Sequence, residues 1–198
     1  MKKKLLFVIN TLGGAGAERA LINLLKLIPK EDYDIDLEVI TGQGELANQL
    51  PNNVNLIGHH DPTPVLSKKG RLHLMLLCIG RFFSPQNGFK CIPYIIYHFA
   101  RMKRAGNVSF DKLLWRMLAN GMPLNNKTYD IAVSFIEGGA TYYVANRIKA
   151  KKKIAFVHVD YEKAGYTRGL DMGDYHRFDK IFAVSEEITD PFLKVHPA

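Results

Sequence analysis

Cysteine, tryptophan and, over a long central stretch, acidic side chains are what this chain of 198 residues uses least. Only Cys78 and Cys91 are present, too few for a disulfide framework and not spaced like a metal knuckle. A disulfide-stapled fold is thereby excluded, a reducing cytoplasmic setting is expected, and both thiols read as free core side chains. No apolar run approaches the roughly 18 residues that a membrane-spanning helix needs. The best, Leu72 to Phe83, is interrupted by Arg81. Between Pro62 and Phe110 there is no Asp or Glu, while Lys68, Lys69, Arg71, Arg81, Lys90, Arg101, Lys103 and Arg104 supply eight positive charges. That equals the formal net charge of +8 of the whole chain, so the basic excess is local.

The same acid-free block is rich in leucine, isoleucine and phenylalanine, and reads as two apolar, basic helices broken near Ser84-Pro85-Gln86-Asn87-Gly88. A nucleic-acid surface would not need so much apolar area, and no helix-turn-helix or zinc pattern is present, so no nucleic-acid partner is expected. Two readings stay open and are compatible. One is a helical subdomain packed on the main fold with a solvated basic rim. The other is an anionic membrane surface, met by cations worth about 1 kcal/mol each near the headgroups.

The N-terminus is ordered differently: a basic tip, an apolar run Leu5 to Ile9, a turn Gly13-Gly14-Ala15-Gly16, then Glu18 and Arg19 opening a helical pattern. Lys2-Lys3-Lys4 followed by apolar residues and Ala15-Gly16-Ala17 imitates a secretory signal. Asn10 interrupts its apolar core, however, and Leu21, Leu24, Leu25 and Ile28 continue at helical spacing, so the segment is expected to belong to the fold. With the second apolar run, Ile35 to Ile40, it forms a βαβ unit whose first loop can bring backbone amides close to a phosphate or carboxylate.

Further along, Phe110 to Met122 has helical spacing and a stop at Gly121. Ile131 to Ile136 is a buried strand leading to Glu137-Gly138-Gly139, with a helix from about Ala140 to Lys149. Lys152 and Lys153 precede a strand Ile154 to Val157 that ends in His158-Val159-Asp160. Ile181 to Val184 is followed by Ser185-Glu186-Glu187, a helix start with acids in its first turn. Strands alternating with helices make an α/β, doubly wound parallel sheet, here one domain over residues 1–198 with a helical insertion at about 62–110.

Ligands of such sheets bind outside the carboxyl ends of the strands. The rule selects Gly13, Gly14 and Gly16; Glu137, Gly138 and Gly139; His158 and Asp160; and Ser185 to Glu187. His158 is the catalytic candidate, with Asp160 as its possible orienting partner. Glu137 can alternatively cap the helix that follows it. His59-His60-Asp61 is read as a loop, since adjacent side chains of an extended segment point apart and cannot readily share an ion. Tyr142 and Tyr143 are read as packing. No metal and no cofactor are expected.

Taken together, Asn10-Thr11-Leu12-Gly13-Gly14-Ala15-Gly16-Ala17-Glu18-Arg19, Tyr129-Asp130-Ile131-Ala132 leading to Glu137-Gly138, Ile154 to Asp160, and Phe182-Ala183-Val184-Ser185-Glu186 resemble the N-terminal half of group 1 glycosyltransferases (family 4, GT-B fold). The resemblance covers nearly the whole chain apart from the basic block. It implies a Rossmann-like, acceptor-side domain facing a donor domain across a cleft, in a retaining enzyme that usually needs no metal. It further implies that Gly13, Gly14 and Gly16 approach the donor pyrophosphate, that His158 contacts the transferred sugar or the acceptor, and that Glu137 touches acceptor hydroxyls. The expected partners are a nucleotide-sugar donor and a glycan or lipid-linked acceptor for cell-surface polysaccharide or glycolipid biosynthesis. The expected location is cytoplasmic, peripheral at the inner face of the membrane.

The family's second domain carries an E-x7-E region for the donor, and this chain ends at His196-Pro197-Ala198, about where the linker into that domain begins. The expectation is that the donor domain is absent from this chain and that these residues alone transfer little or no sugar. A nicotinamide-dependent oxidoreductase fits less well: Arg19 stands where a third Gly or Ala is needed, and Ile40-Thr41-Gly42 lacks a ribose-binding acid. The remaining alternative is a non-catalytic, membrane-associated binding module or a partner subunit of a transferase.

Overall fold

A computed structural model describes residues 2–86, 88–106 and 108–197. Six strands, β1 (Lys3–Ile9), β2 (Tyr33–Val39), β3 (Val54–Ile57), β4 (Thr128–Ser134), β5 (Lys149–Val157) and β6 (Lys180–Ala183), form one sheet in the order β3-β2-β1-β4-β5-β6. Every pairing is parallel. The chain therefore runs outward from β1 to one edge, returns, and continues outward from β4 to the other.

β1 lies at the centre, and its alternate side chains serve two cores. Leu5, Phe7 and Ile9 join Leu21 and Leu25 of helix α1 (Gly16–Leu27) on one face. Leu6 and Val8 join Leu118, Ala119 and Met122 on the other. Burial on both faces is why this segment is continuously apolar. β2 is different: Ile35, Leu37 and Val39 are buried, but Asp34, Asp36 and Glu38 alternate with them. The sequence reads as a run from Ile35 to Ile40, and the strand proves one-sided.

The basic block lies within the crossover from edge strand β3 back to β4. It forms α2 (Lys68–Phe82) and α3 (Ile92–Arg104), and the crossover continues through α4 (Phe110–Asn120), ending at Gly121 as its spacing predicts. Leu74, Leu77 and Cys78 of α2 pack on the second core, and α4 buries Leu113, Met117 and Leu118. This crossover is thus a covering layer of the sheet. Helix α5 (Gly139–Arg147) ends two residues before its predicted end, because β5 starts at Lys149. The lysines placed before that strand belong to it, with Thr128↔Lys149 and Ala132↔Lys153 in register. Their charges are answered locally, Lys151 by Asp130 at 2.6 Å and Lys153 by the Ala145 carbonyl at 2.9 Å. The short helix α6 (Arg168–Asp171) and the C-terminal helix α7 (Glu186–Val195) complete the fold; β3 and α6, four residues each, are too short to show a period in the sequence. No helix among the described residues is long and apolar enough to cross a membrane.

Glu38, on the side of β2 away from α1, is raised to about 7 by burial, with Arg81 of α2 partly offsetting this. A carboxyl with a raised folded pKa binds its proton more tightly in the native state, so its contribution falls as pH rises from the ordinary glutamate range through about 7. Glu38→Gln should therefore raise stability above pH 7 by about 2 kcal/mol and flatten the pH dependence below it, as read by urea unfolding at a series of pH values.

Candidate functional site

Strand order reverses between β1 and β4, and the crevice at their carboxyl ends is where open α/β sheets hold ligands. The β1 side of this crevice is the loop Asn10 to Ala15. Asn10 is buried and bridges the crevice floor: its Nδ2 donates to the Glu137 carbonyl at 2.9 Å, and its Oδ1 accepts from the Ala140 amide at 2.8 Å. A side chain from the loop after one strand thus satisfies an amide in the first turn of a helix following another.

The glycines divide into two kinds. Gly138 has φ 82°, and a Cβ there would come within 2.9 Å of the Tyr166 hydroxyl and 3.1 Å of Trp115. Gly139 is equally enclosed, by Asn10 Oδ1 and Trp115 at 2.9 Å. These are demanded by packing. Gly13, Gly14 and Gly16 are not: none has positive φ, Gly13 and Gly14 meet only ordinary contacts at 3.9 Å, and nothing lies within 4 Å of a Cβ on Gly16. Gly14 and Gly16 are exposed. Helix α1 begins at Gly16 with no side-chain cap from Ala15, which leaves amides of its first turn uncapped by any side chain. Arg19 folds back so that its Nε donates to the Gly14 carbonyl at 3.1 Å, setting a cation beside the loop.

Glu18 lies on the inner side of the same loop. It is 6% exposed, its Oε1 accepts from the Thr11 hydroxyl at 2.8 Å, and its Oε2 is buried with no partner. From the β5 side, His158 matches it. Burial pulls the imidazole pKa below its ordinary value, while the Phe135 carbonyl and Glu18 pull the other way. The ring packs 5.2 Å from Phe135, and its Nε2 is buried with no partner. With the ring neutral and its proton on the side of the Phe135 carbonyl, Nε2 is an acceptor. Two unpartnered acceptors, one carboxylate and one imidazole, thus stand in the first turn of α1 and just past the end of β5.

Glu137 takes a supporting position. It is buried, its carboxyl pKa is raised by burial, and Oε2 accepts from the His158 backbone amide at 3.0 Å. It ties the end of β4 to the end of β5 and so fixes where His158 starts. Asp160 is engaged by Lys163 rather than by that ring: Oδ1 accepts from the Lys163 amide and Oδ2 from its ammonium, both at 3.0 Å. The lysine holds the Asp160 carboxyl below the usual range. Ser185 begins α7 at the end of β6 without a side-chain cap. Trp115, Tyr166 and Lys112, whose ammonium lies 4.6 Å from the Tyr166 ring, close the other wall.

His60 donates from Nε2 to the Gly44 carbonyl at 2.8 Å, and Asp61 is held by Thr63 and by His73 at 3.2 Å. No group of three or more His, Cys, Asp or Glu placed to hold a metal ion occurs among the described residues. Tyr142 and Tyr143 are buried in the core, as their packing role requires.

Sequence reasoning did not select Asn10, Glu18 or Trp115. Glu18 stood in view as a first-turn acid, a common device for helix starts, and only its burial distinguishes it. Strand order, all-parallel pairing and the loop at the switch point define a Rossmann-like, doubly wound α/β protein. Comparison with protein-family models, curated proteins and solved structures finds no match to this chain.

Proposed function

We propose that the chain is the acceptor-binding N-terminal domain of a retaining, GT-B-type glycosyltransferase, which moves a sugar from a nucleotide-sugar to a polysaccharide or glycolipid acceptor. The observation that carries this reading is the pair of buried, unpartnered acceptor atoms, Glu18 Oε2 and His158 Nε2, beside glycines that the fold itself does not require. Acceptors need donors, and a sugar ring presents hydroxyls in numbers. The amides of Gly14 and Gly16 and the Arg19 guanidinium suit the opposite chemistry, a phosphate.

In a transfer without a covalent enzyme intermediate, the protein's work is to position the reactants and to stabilise the departing diphosphate. His158 and Glu18 do the first by accepting from hydroxyls, and Glu137 keeps His158 in place through the backbone. The glycine loop does part of the second.

Saturation-transfer NMR of the chain with a panel of glycosides tests this. Binding should be seen for at least one member, fall about tenfold or more in His158→Ala and in Glu18→Ala, and weaken as pH drops below the ordinary histidine range, where Nε2 becomes a donor. Absence of binding across the panel, or binding indifferent to both substitutions, would sink the assignment.

A further inference from the structure

Helix α2 is apolar on two sides. Leu74, Leu77, Cys78 and Arg81, spaced at i, i+3, i+4 and i+7, face inward: the first three pack on the core, and Arg81 donates to the Gly121 carbonyl at 3.2 Å. Leu72, Met75, Leu76, Ile79 and Phe83 follow the same spacing on the other side and are 50–75% exposed. A helix apolar all round is ordinarily covered all round, and such an unbroken stripe is more than scattered surface leucines require. Lys68 and Lys69 precede Leu72 by four and three residues, and Arg71 precedes Met75 by four, so the stripe is headed by exposed cations. Helix α3 repeats the arrangement, with exposed Ile92, Ile96 and Tyr97 leading to Arg101, Lys103 and Arg104. None of these six cations is ion-paired among the described residues.

We propose that the outward face of α2, continued by α3, is the surface through which the protein lies on an anionic lipid bilayer. The apolar stripe enters the headgroup–acyl boundary and the cations meet lipid phosphates, a combination that both needs and uses the two features together. A nucleic acid would meet the cations but leave the stripe in water. A second copy of the chain would cover the stripe, but residues 63–109 offer no carboxylate to receive the cations.

The face is coupled to the loop at the switch point. Gln43 Nε2 donates to the Gly70 carbonyl in the first turn of α2 at 3.1 Å, and the Gln43 carbonyl accepts from the Leu12 amide, next to Gly13, at 2.8 Å. Where the glycosyltransferase reading holds, this ties the loop that meets the substrates to the first turn of the lipid-facing helix.

Co-sedimentation of the chain with vesicles of equal parts phosphatidylcholine and phosphatidylglycerol, against phosphatidylcholine alone, tests the proposal without any sugar. Binding should favour the anionic vesicles and fall with added salt. Lys68→Gln, Lys69→Gln and Arg71→Gln together should weaken it about a hundredfold. Leu72→Ser, Leu76→Ser and Phe83→Ser together should weaken it at high and low salt alike, while circular dichroism stays native because all three side chains point outward. Failure to bind anionic vesicles would overturn the proposal, as would equal binding to both vesicle types that ignores the substitutions. A concentration-dependent dimer abolished by the serine variants, with no vesicle binding, would assign the face to a second copy instead. Glycoside binding in the NMR experiment is read separately, so either idea can fail alone.

Discussion

Arg116→Met is expected to cost about 3–5 kcal/mol of stability. Arg116 is 4% exposed and answers several groups at once. Its Nη1 donates to Asp174 at 2.5 Å, its Nη2 to the Leu170 carbonyl at 2.8 Å, and its guanidinium lies 3.7 Å from the centre of the Tyr142 ring. Burial alone would lower its pKa, and Asp174, Tyr142 and Tyr94 together more than compensate, so it stays above the ordinary value. Methionine fills much of the same space but leaves Asp174, 3% exposed, with only Asn146 to donate to it. Pairing the change with Asp174→Asn should recover more than half of the loss, because the penalty lies in the orphaned charge rather than in the missing contact. Urea denaturation of the two variants beside the parent decides this, and equal losses for both would refute the explanation.

Gly44→Ala should be nearly as severe, at about 3–5 kcal/mol, and should also remove whatever the crevice binds. Gly44 has φ 136° and ψ 148°, a region essentially closed to side chains. A Cβ there would collide with the Leu12 carbonyl and stand 2.7 Å from the Gly13 nitrogen. Both neighbours are backbone and cannot swing aside, so the glycine loop itself must move. Gly16→Ala makes the informative contrast. It meets no atom within 4 Å, sits at the start of a helix, and should leave stability unchanged or raise it by up to about 1 kcal/mol while still narrowing the approach to the loop. Thermal unfolding and ligand-observed NMR on both variants separate a glycine needed for the fold from one reserved for a ligand.

How far the sequence speaks for itself follows from which forces are local. Period and turn chemistry identify β1, α1, α4, β4 and the start of α7, because each carries its own apolar spacing or its own stop. The parallel sheet follows from alternation. What stays hidden depends on partners distant in the chain. The β5 lysines read as residues that precede the strand until β4 supplies their register. Glu38, Glu18 and Asn10 look like ordinary polar residues until the fold buries them. His158 and the glycine loop were legible as strand-end residues, but Glu137 changes meaning once its carboxylate is seen to hold the His158 amide, and Asp160 once it is seen to serve Lys163.

The Asn10 bridge also sets a timetable. It joins residues 127 and 130 positions apart, and the centre of the sheet needs β4 beside β1 before either hydrogen bond can form. At synthesis rates of about 5–20 residues per second, the first strand waits roughly 6–26 s for that neighbour. Until then Leu5 to Ile9, an unbroken run of five apolar residues, has one unpaired edge open to any other extended chain nearby. The glycine loop at its end acquires its far wall only when synthesis has passed Tyr166, so the crevice matures late in the birth of the molecule, and the interval before it is when a nascent chain most needs a chaperone's shelter.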